Sequence, residues 1–161
     1  RLSIRWTCRF LAFDGRYSMT SETEGGIPVD DQKMRIILEK AKTIAVVGLS
    51  PNPQRDSHEV AEYLQKNGYK IIPVNPKAEK ILGEKAYPDV RSIPEAVDIV
   101  DIFRRPEHVL PIVEEAIEAR ARTVWMQLGV VNEDAAKKAA EAGLQVIMDR
   151  CILQEHKRLF R

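Results

Sequence analysis

Arginines and small polar residues gather where apolar runs end in this 161-residue chain. Phe103-Arg104-Arg105-Pro106 sets two guanidinium groups side by side at a helix start, an end that attracts anions rather than cations. Gly48-Leu-Ser50-Pro51-Asn52-Pro-Gln-Arg55-Asp-Ser57 adds a third guanidinium, two hydroxyls and an amide, and Asn75-Pro76-Lys77 adds an ammonium. Such groups hold phosphate: arginine in bidentate pairs, lysine as a point charge, a helix N-terminus through its free N–H groups. Gln127-Leu-Gly129 and Asp149-Arg-Cys151 end two further runs. Cys151 is the one candidate nucleophile, with Arg150 beside it to favour the thiolate, although a buried, inert cysteine is the commoner kind. His58, His108 and His156 have no metal-ligand spacing, fall in or near predicted helices and read as surface residues.

The elements that must position these groups follow a regular alternation. Met34, Ile37, Leu38 and Ala41 recur at helical spacing from Gln32 on. Thr43-Ile-Ala-Val-Val-Gly48 is a continuous apolar run that suits a strand covered on both faces. Val60, Ala61 and Leu64 mark a helix ending at Asn67-Gly68, and Tyr69 to Val74 a second strand whose Pro73 suits a position where one backbone donor is not required. Val97 to Phe103, Thr123 to Met126 and Leu144 to Met148 read as further strands, separated by helices after Pro106 and from Glu133 to Ala142. The fold class expected is α/β: a Rossmann-like, doubly wound sheet of five mainly parallel strands with helices on both faces. In such a sheet the ligand sits beyond the carboxyl ends of the strands, where the five short segments above would meet. Trp125 and Met126 read as core, and Asp101, inside the third strand, reads first as a hydrogen-bonded structural carboxylate.

Composition narrows the function. Lys and Arg total 25 against 24 Asp and Glu, a net charge of +1, which disfavours general binding to nucleic acid. No apolar run is long enough to span a bilayer, and Cys8 and Cys151 form neither a zinc knuckle nor a disulfide framework. A soluble protein in a reducing, cytoplasmic setting is expected. Residues 1–30 differ from the rest: Arg1 to Phe13 is basic and apolar, and Ser18 to Asp31 is polar and acidic. They read as a disordered leader or arm, with Met19 as the natural start, ahead of a domain at 31–161.

The loop chemistry discriminates among nucleotides. Only Gly48 stands where a dinucleotide fold would carry GxGxxG, and no Walker A pattern is present. The second strand ends in Asn75-Pro76-Lys77 with no acid for a ribose 2′-hydroxyl, so a phosphorylated ribose is the better fit. Asp56 with Glu59 three residues on matches a capping box, so Asp56 and Ser57 could equally be helix caps.

With these tips in view the sequence resembles the CoA-binding domain family, small bacterial and archaeal proteins related to the N-terminal CoA-binding domain of the succinyl-CoA synthetase α subunit. IAVVGLSPNPQRDSHEVAEYL, YKIIPVNPKAEKILGEKAYPDV, VDIVDIFRRPEHV, VWMQLGVVNEDA and VIMDRCI carry the resemblance, from about Lys33 to Gln154. It implies that Gly48, Ser50 and the loop through Pro51, Asn52, Arg55 and Ser57 hold CoA phosphates, with Asn75, Pro76 and Lys77 along the adenosine 3′-phosphate. Phe103, Arg104, Arg105 and Pro106 would flank the adenine and pyrophosphate, and Gln127 to Gly129 would lie near the pantetheine. The synthetase domain with the phosphorylated histidine has no counterpart here, so ligase chemistry is not inherited and no catalytic residue is assigned. The expected function is binding of coenzyme A or an acyl-CoA by one module. The alternatives are an NADP-dependent oxidoreductase fragment, using Lys77 and Arg104 for a 2′-phosphate, and a CoA-binding subunit of a multi-chain acyl-CoA synthetase. The chain could also self-associate. A CoA thiol near the fifth tip would make Cys151 a redox thiol able to form a mixed disulfide.

Overall fold

The computed structural model describes residues 23–24 and 27–161, so Arg1 to Phe13, Cys8 and Met19 lie outside the described residues. The chain divides into two units, Arg1–Lys33 and Met34–Arg161. Within the first, Thr23–Glu24 pairs antiparallel with Ile27–Pro28. Helix α1, Val29–Lys40, starts before Gln32, where periodicity alone would begin it, because Asp30 and Asp31 suit the positive end of a helix.

The second unit is built on five strands: β1 (Thr43–Val47), β2 (Lys70–Val74), β3 (Ile99–Ile102), β4 (Thr123–Met126) and β5 (Gln145–Ile147). They lie in the order β2-β1-β3-β4-β5, and every neighbouring pair is parallel. Helices α2 (Asp56–Lys66), α3 (Val109–Glu118), α4 (Glu133–Glu141) and α5 (Ile152–Leu159) complete the α/β fold.

Strand residues alternate between the two faces, which is what sorts the helices. Ile44, Val46, Ile71, Ile99, Trp125 and Ile147 pack with Met34 and Leu38 of α1, Val60, Ala61 and Leu64 of α2 and Ile152 of α5. Ala45, Val47, Ile72, Val100, Ile102, Val124 and Met126 pack with Val109, Ile112, Val113 and Ala116 of α3 and with Ala135 and Ala139 of α4. Fully burying each large aliphatic side chain stabilises the fold by roughly 1.5–3 kcal/mol, so a one-residue register slip, which would exchange the two faces, is strongly disfavoured. Asp101 shares the Ile99 and Trp125 face, with no solvent exposure.

β2 is a sheet edge, a position where the backbone donor that Pro73 lacks is not required. The chain covers that edge itself: Tyr87 N–H donates to Pro73 O at 2.9 Å and Asn75 N–H to Tyr87 O at 2.9 Å. Residues 75–98 then cross back past β1 to β3, carrying a short antiparallel pair, Lys80–Ile81 with Glu84–Lys85. Val90, Ile93 and Val97 fill the α3 side during this crossing. The start of β1 is pinned by Asp98 Oδ2, which accepts from the Lys42 and Thr43 N–H groups at 2.7 and 3.1 Å. Because β2 lies to one side of β1 and β3 to the other, the order reverses between β1 and β3, and their ends form a ligand-sized crevice.

Candidate functional site

Gly48 ends β1 with φ +86°, and a Cβ there would stand 2.4 Å from Phe103 O. Only glycine lets the tips of β1 and β3 approach this closely without strain. The loop that follows is organised by its own side chains. Ser57 Oγ accepts from Ser50 N–H at 3.0 Å, Ser50 Oγ from Asn52 N–H at 3.1 Å and Asn52 Oδ1 from Gln54 N–H at 3.0 Å. Asn75 closes the second tip onto the first, its Nδ2 donating to Leu49 O at 2.9 Å while its Oδ1 accepts from Lys77 N–H at 2.8 Å.

Two sequence readings change at this loop. The capping box is not formed: Arg55 is the residue flanking α2, Asp56 lies inside its first turn, and the Arg55 side chain makes no capping hydrogen bond at this end of the helix. His58 is buried rather than a surface residue, because its Nδ1 meets Ser50 O at 2.9 Å; a carbonyl only accepts, so Nδ1 carries the proton. His156 is likewise half-buried, bonded through Nδ1 to the Tyr63 hydroxyl at 2.8 Å and stacked on Phe160, and burial pushes its pKa below the usual imidazole range. His108 is exposed, as expected.

The third tip brings Phe103, Arg104 and Arg105 to the crevice, and Pro106 opens a single 3-10 turn, Pro106–His108, ahead of α3. Its carbonyl accepts from Asn132 Nδ2 at 2.8 Å, tying this tip to the start of α4. At the fourth tip Gln127 is buried and donates through Nε2 to Asp101 Oδ1 at 2.6 Å. Gly129 N–H donates to Asp149 Oδ1 at 2.7 Å, and Trp125 Nε1 to Arg150 O at 2.8 Å, so the fourth and fifth tips are held together. Cys151 is half-exposed and flanks α5.

These tips enclose a cavity of about 1160 Å³. Of the residues singled out from sequence, Arg55, Lys77, Phe103, Arg104, Arg105, Pro106, Gln127, Gly129 and Cys151 line it. Gly48, Ser50, Pro51, Asn52, Ser57, Asn75 and Pro76 are not among the lining residues, and the hydroxyls and amides among them are engaged in holding the loops. Leu128, within the expected Gln127 to Gly129 segment, and Asp56, within the first loop, line the cavity too, and Glu59, Val60, His108, Val130, Leu153 and Gln154 also line it and were not anticipated there. Leu153 and Gln154 belong to the first turn of α5, so the available signal was helix initiation directly after the fifth tip.

Four cations meet at the cavity. Among the described residues, Arg55, Lys77, Arg104 and Arg105 line it with no ion pair, so their charge is not offset there by a direct carboxylate partner. Asp56 and Glu59 are the acids on the wall. Val60, Leu128, Val130 and Leu153 supply apolar surface. The arrangement can hold a ligand that is polyanionic in one part and less polar in another.

The family described as CoA binding domain matches residues 42–157. The chain belongs to the CoA-binding domain family. Within it, the chain is 45% identical over 124 residues to the uncharacterized protein YneT of Bacillus subtilis, covering 77% of this chain and 92% of that one. It is 29% identical over 120 residues to the alpha subunit of an ADP-forming acetate–CoA ligase II of Pyrococcus furiosus, covering 68% of this chain but only 26% of the subunit. A solved hypothetical protein of Pyrococcus horikoshii superposes with a TM-score of 0.80 at 44% identity, covering 86% of this chain and 100% of that one. This CoA-binding domain thus stands near-complete in the small relatives and as one part of the ligase subunit. No helix among the described residues is long and apolar enough to cross a membrane.

Asp101 is expected to make the stability of this CoA-binding domain depend on pH. Burial pushes its carboxyl from 3.8 up to about 7, against the opposing hydrogen bond from Gln127. Below about pH 4 the group is protonated in both folded and unfolded chains and costs nothing. Between about 4 and 7 the unfolded chain ionises while the folded one stays neutral, so stability falls as pH rises, and above about 7 the loss levels off. Asp101→Asn removes this dependence, on the order of 4 kcal/mol across the window. Thermal denaturation of both proteins from pH 4 to 8 should show the Tm difference moving in favour of the variant as pH rises; a constant difference would contradict it.

Proposed function

We propose that the cavity binds coenzyme A or an acyl-CoA. The observation that carries this reading is the set of four cations that line the cavity, Arg55, Lys77, Arg104 and Arg105, with no ion pair among the described residues. CoA brings three phosphoryl groups, and each charge-assisted phosphate bond stabilises a complex by roughly 1.5–3 kcal/mol. In this reading Lys77 takes the ribose 3′-phosphate, Arg55, Arg104 and Arg105 take the pyrophosphate, and Phe103 and Pro106 flank the adenine. The loop residues Gly48, Ser50, Pro51, Asn52, Ser57, Asn75 and Pro76 act by shaping the backbone around these groups. The pantetheine arm runs along Gln127, Leu128 and Gly129 toward Cys151, which brings the ligand thiol to the protein thiol.

The same cations would serve NADP. What favours CoA is the apolar surface of Val60, Leu128, Val130 and Leu153, which suits a flexible arm and its acyl group better than a second nucleotide. Membership of the family supports the same choice. The reading is one of binding, as a free module or within a larger assembly like that of the archaeal ligase subunit. Native mass spectrometry of freshly purified protein tests it: the expected result is a fraction carrying the mass of CoA or an acyl-CoA, and a retained nicotinamide dinucleotide would overturn it.

A further inference from the structure

Asp101 is an enclosed carboxyl that the phosphate-binding reading leaves unused. It stands in β3 between Val46 of β1 and Trp125 of β4, with no solvent exposure. Its Oδ1 accepts from Gln127 Nε2 at 2.6 Å. Its Oδ2 is the one enclosed side-chain oxygen or nitrogen without a hydrogen-bond partner among the described residues. Gln127 links this interior group to the ligand space, because it belongs to the cavity wall while its Nε2 is turned inward. Its Oε1 accepts no hydrogen bond from the described residues and is not an enclosed atom, which leaves it as the polar atom Gln127 can offer a ligand in the cavity.

The chemistry of the two side chains makes this orientation conditional. An ionised carboxylate only accepts, so it takes the amide N–H and leaves the amide oxygen to the cavity. A protonated carboxyl has an O–H to donate, and the acceptor that Gln127 can offer it is its own Oε1. Turning the amide over brings that oxygen to the new donor and shows the NH₂ to the cavity.

We propose that Asp101 is a positioning residue that sets the hydrogen-bonding polarity of the cavity wall through Gln127. With Asp101 ionised the wall accepts from a ligand N–H, and with Asp101 protonated it donates to a ligand carbonyl. The matching ligand chemistry is an amide- or thioester-bearing arm, which offers both kinds of group. That last step rests on the CoA reading, whereas the turning of the amide does not.

Titratable groups reach this side of the sheet from three helices. From α2 come His58, bonded to Ser50 O, and Asp56 and Glu59 on the cavity wall. From α5 come Glu155, paired with Arg150 and Arg158, and His156, bonded to Tyr63, with Cys151 just before the helix. From α1 come Arg35 and Glu39, paired with each other. None of these is bonded to Asp101, whose protonation is governed by burial, raising its pKa to about 7, and by the Gln127 hydrogen bond, lowering it.

Nuclear magnetic resonance of the ligand-free protein tests the switch without any assumption about CoA. The Gln127 side-chain amide signals, identified by their absence in Gln127→Leu, and the Asp101 carboxyl carbon are followed from pH 5 to 9. The expected result is that both titrate with one shared midpoint near neutrality and that Asp101→Asn abolishes the amide titration. An amide that does not titrate, or midpoints that differ between the two groups, would overturn the proposal, and the wild-type titration decides even if Asp101→Asn fails to fold. If CoA binds, its affinity relative to that of Asp101→Asn should change by about three- to tenfold across the same midpoint. A ratio that stays constant there would overturn the link to the ligand while leaving CoA binding itself intact.

Discussion

Replacing Gly48 by alanine is expected to destabilise the protein by about 3 kcal/mol or more and to open the crevice between β1 and β3. Two costs combine. The backbone at Gly48 has φ +86°, which an alanine adopts at a cost of roughly 1–2 kcal/mol. The added Cβ would also lie 2.4 Å from the carbonyl oxygen of Phe103, a backbone atom that cannot step aside without moving β3. Gly68 separates the two effects, since its φ is +94° but a Cβ there meets nothing within 4 Å. Urea denaturation should therefore show Gly48→Ala losing clearly more stability than Gly68→Ala, with similar m-values. Equal losses would mean that the close approach of the two tips is not a constraint.

Reversing charge at the third tip is expected to have the largest effect on ligand binding. Arg104 and Arg105 are exposed, line the cavity and have no ion pair among the described residues, so Arg104→Glu with Arg105→Glu removes two of the proposed phosphate donors and adds two repulsive charges without disturbing the core. CoA affinity should fall by about 100-fold or more, on the basis of roughly 1.5–3 kcal/mol for each charge-assisted phosphate bond removed. The remaining binding should also depend less on salt than that of the wild type. Arg91→Glu is the matching control, because Arg91 is held by Glu118 and is not among the cavity residues. Its affinity should stay within about twofold of wild type, as expected for a screened surface charge. If the two charge changes weakened binding alike, general electrostatics rather than the cavity would be responsible.

The parts legible from sequence were those that a local pattern encodes. β1 was readable because five residues from Thr43 to Val47 are apolar or β-branched, as a strand covered on both faces requires. Pro73 signalled a position that needs one backbone donor fewer, for a reason local to that residue, and β2 lies at the sheet edge. Arg104-Arg105-Pro106 stood out because cations are out of place at a helix start, and the structure brings them to the cavity. The uses of Ser50, Asn52, Ser57 and Asn75 were not legible, because a short polar side chain in a loop can bond either a ligand or its own backbone. Nor was the burial of His58, which depends on where Ser50 O comes to lie after the loop closes. The contribution of α5 was hidden for a similar reason. Leu153 and Gln154 reach the cavity only because β5 pairs beside β4, a long-range arrangement that no local spacing records.

Calorimetric titration of the full chain with CoA and with NADP separates a site for an acyl carrier from a general site for phosphorylated adenine nucleotides. Both ligands carry an adenosine, a pyrophosphate and a ribose phosphate, so the four cations alone would not tell them apart. Saturable binding of CoA to a single site is expected, with binding of NADP at least about tenfold weaker, because only CoA sends an arm along Gln127 toward Cys151. NADP binding as tightly as CoA, or CoA failing to bind at all, would contradict the assignment of this cavity to CoA.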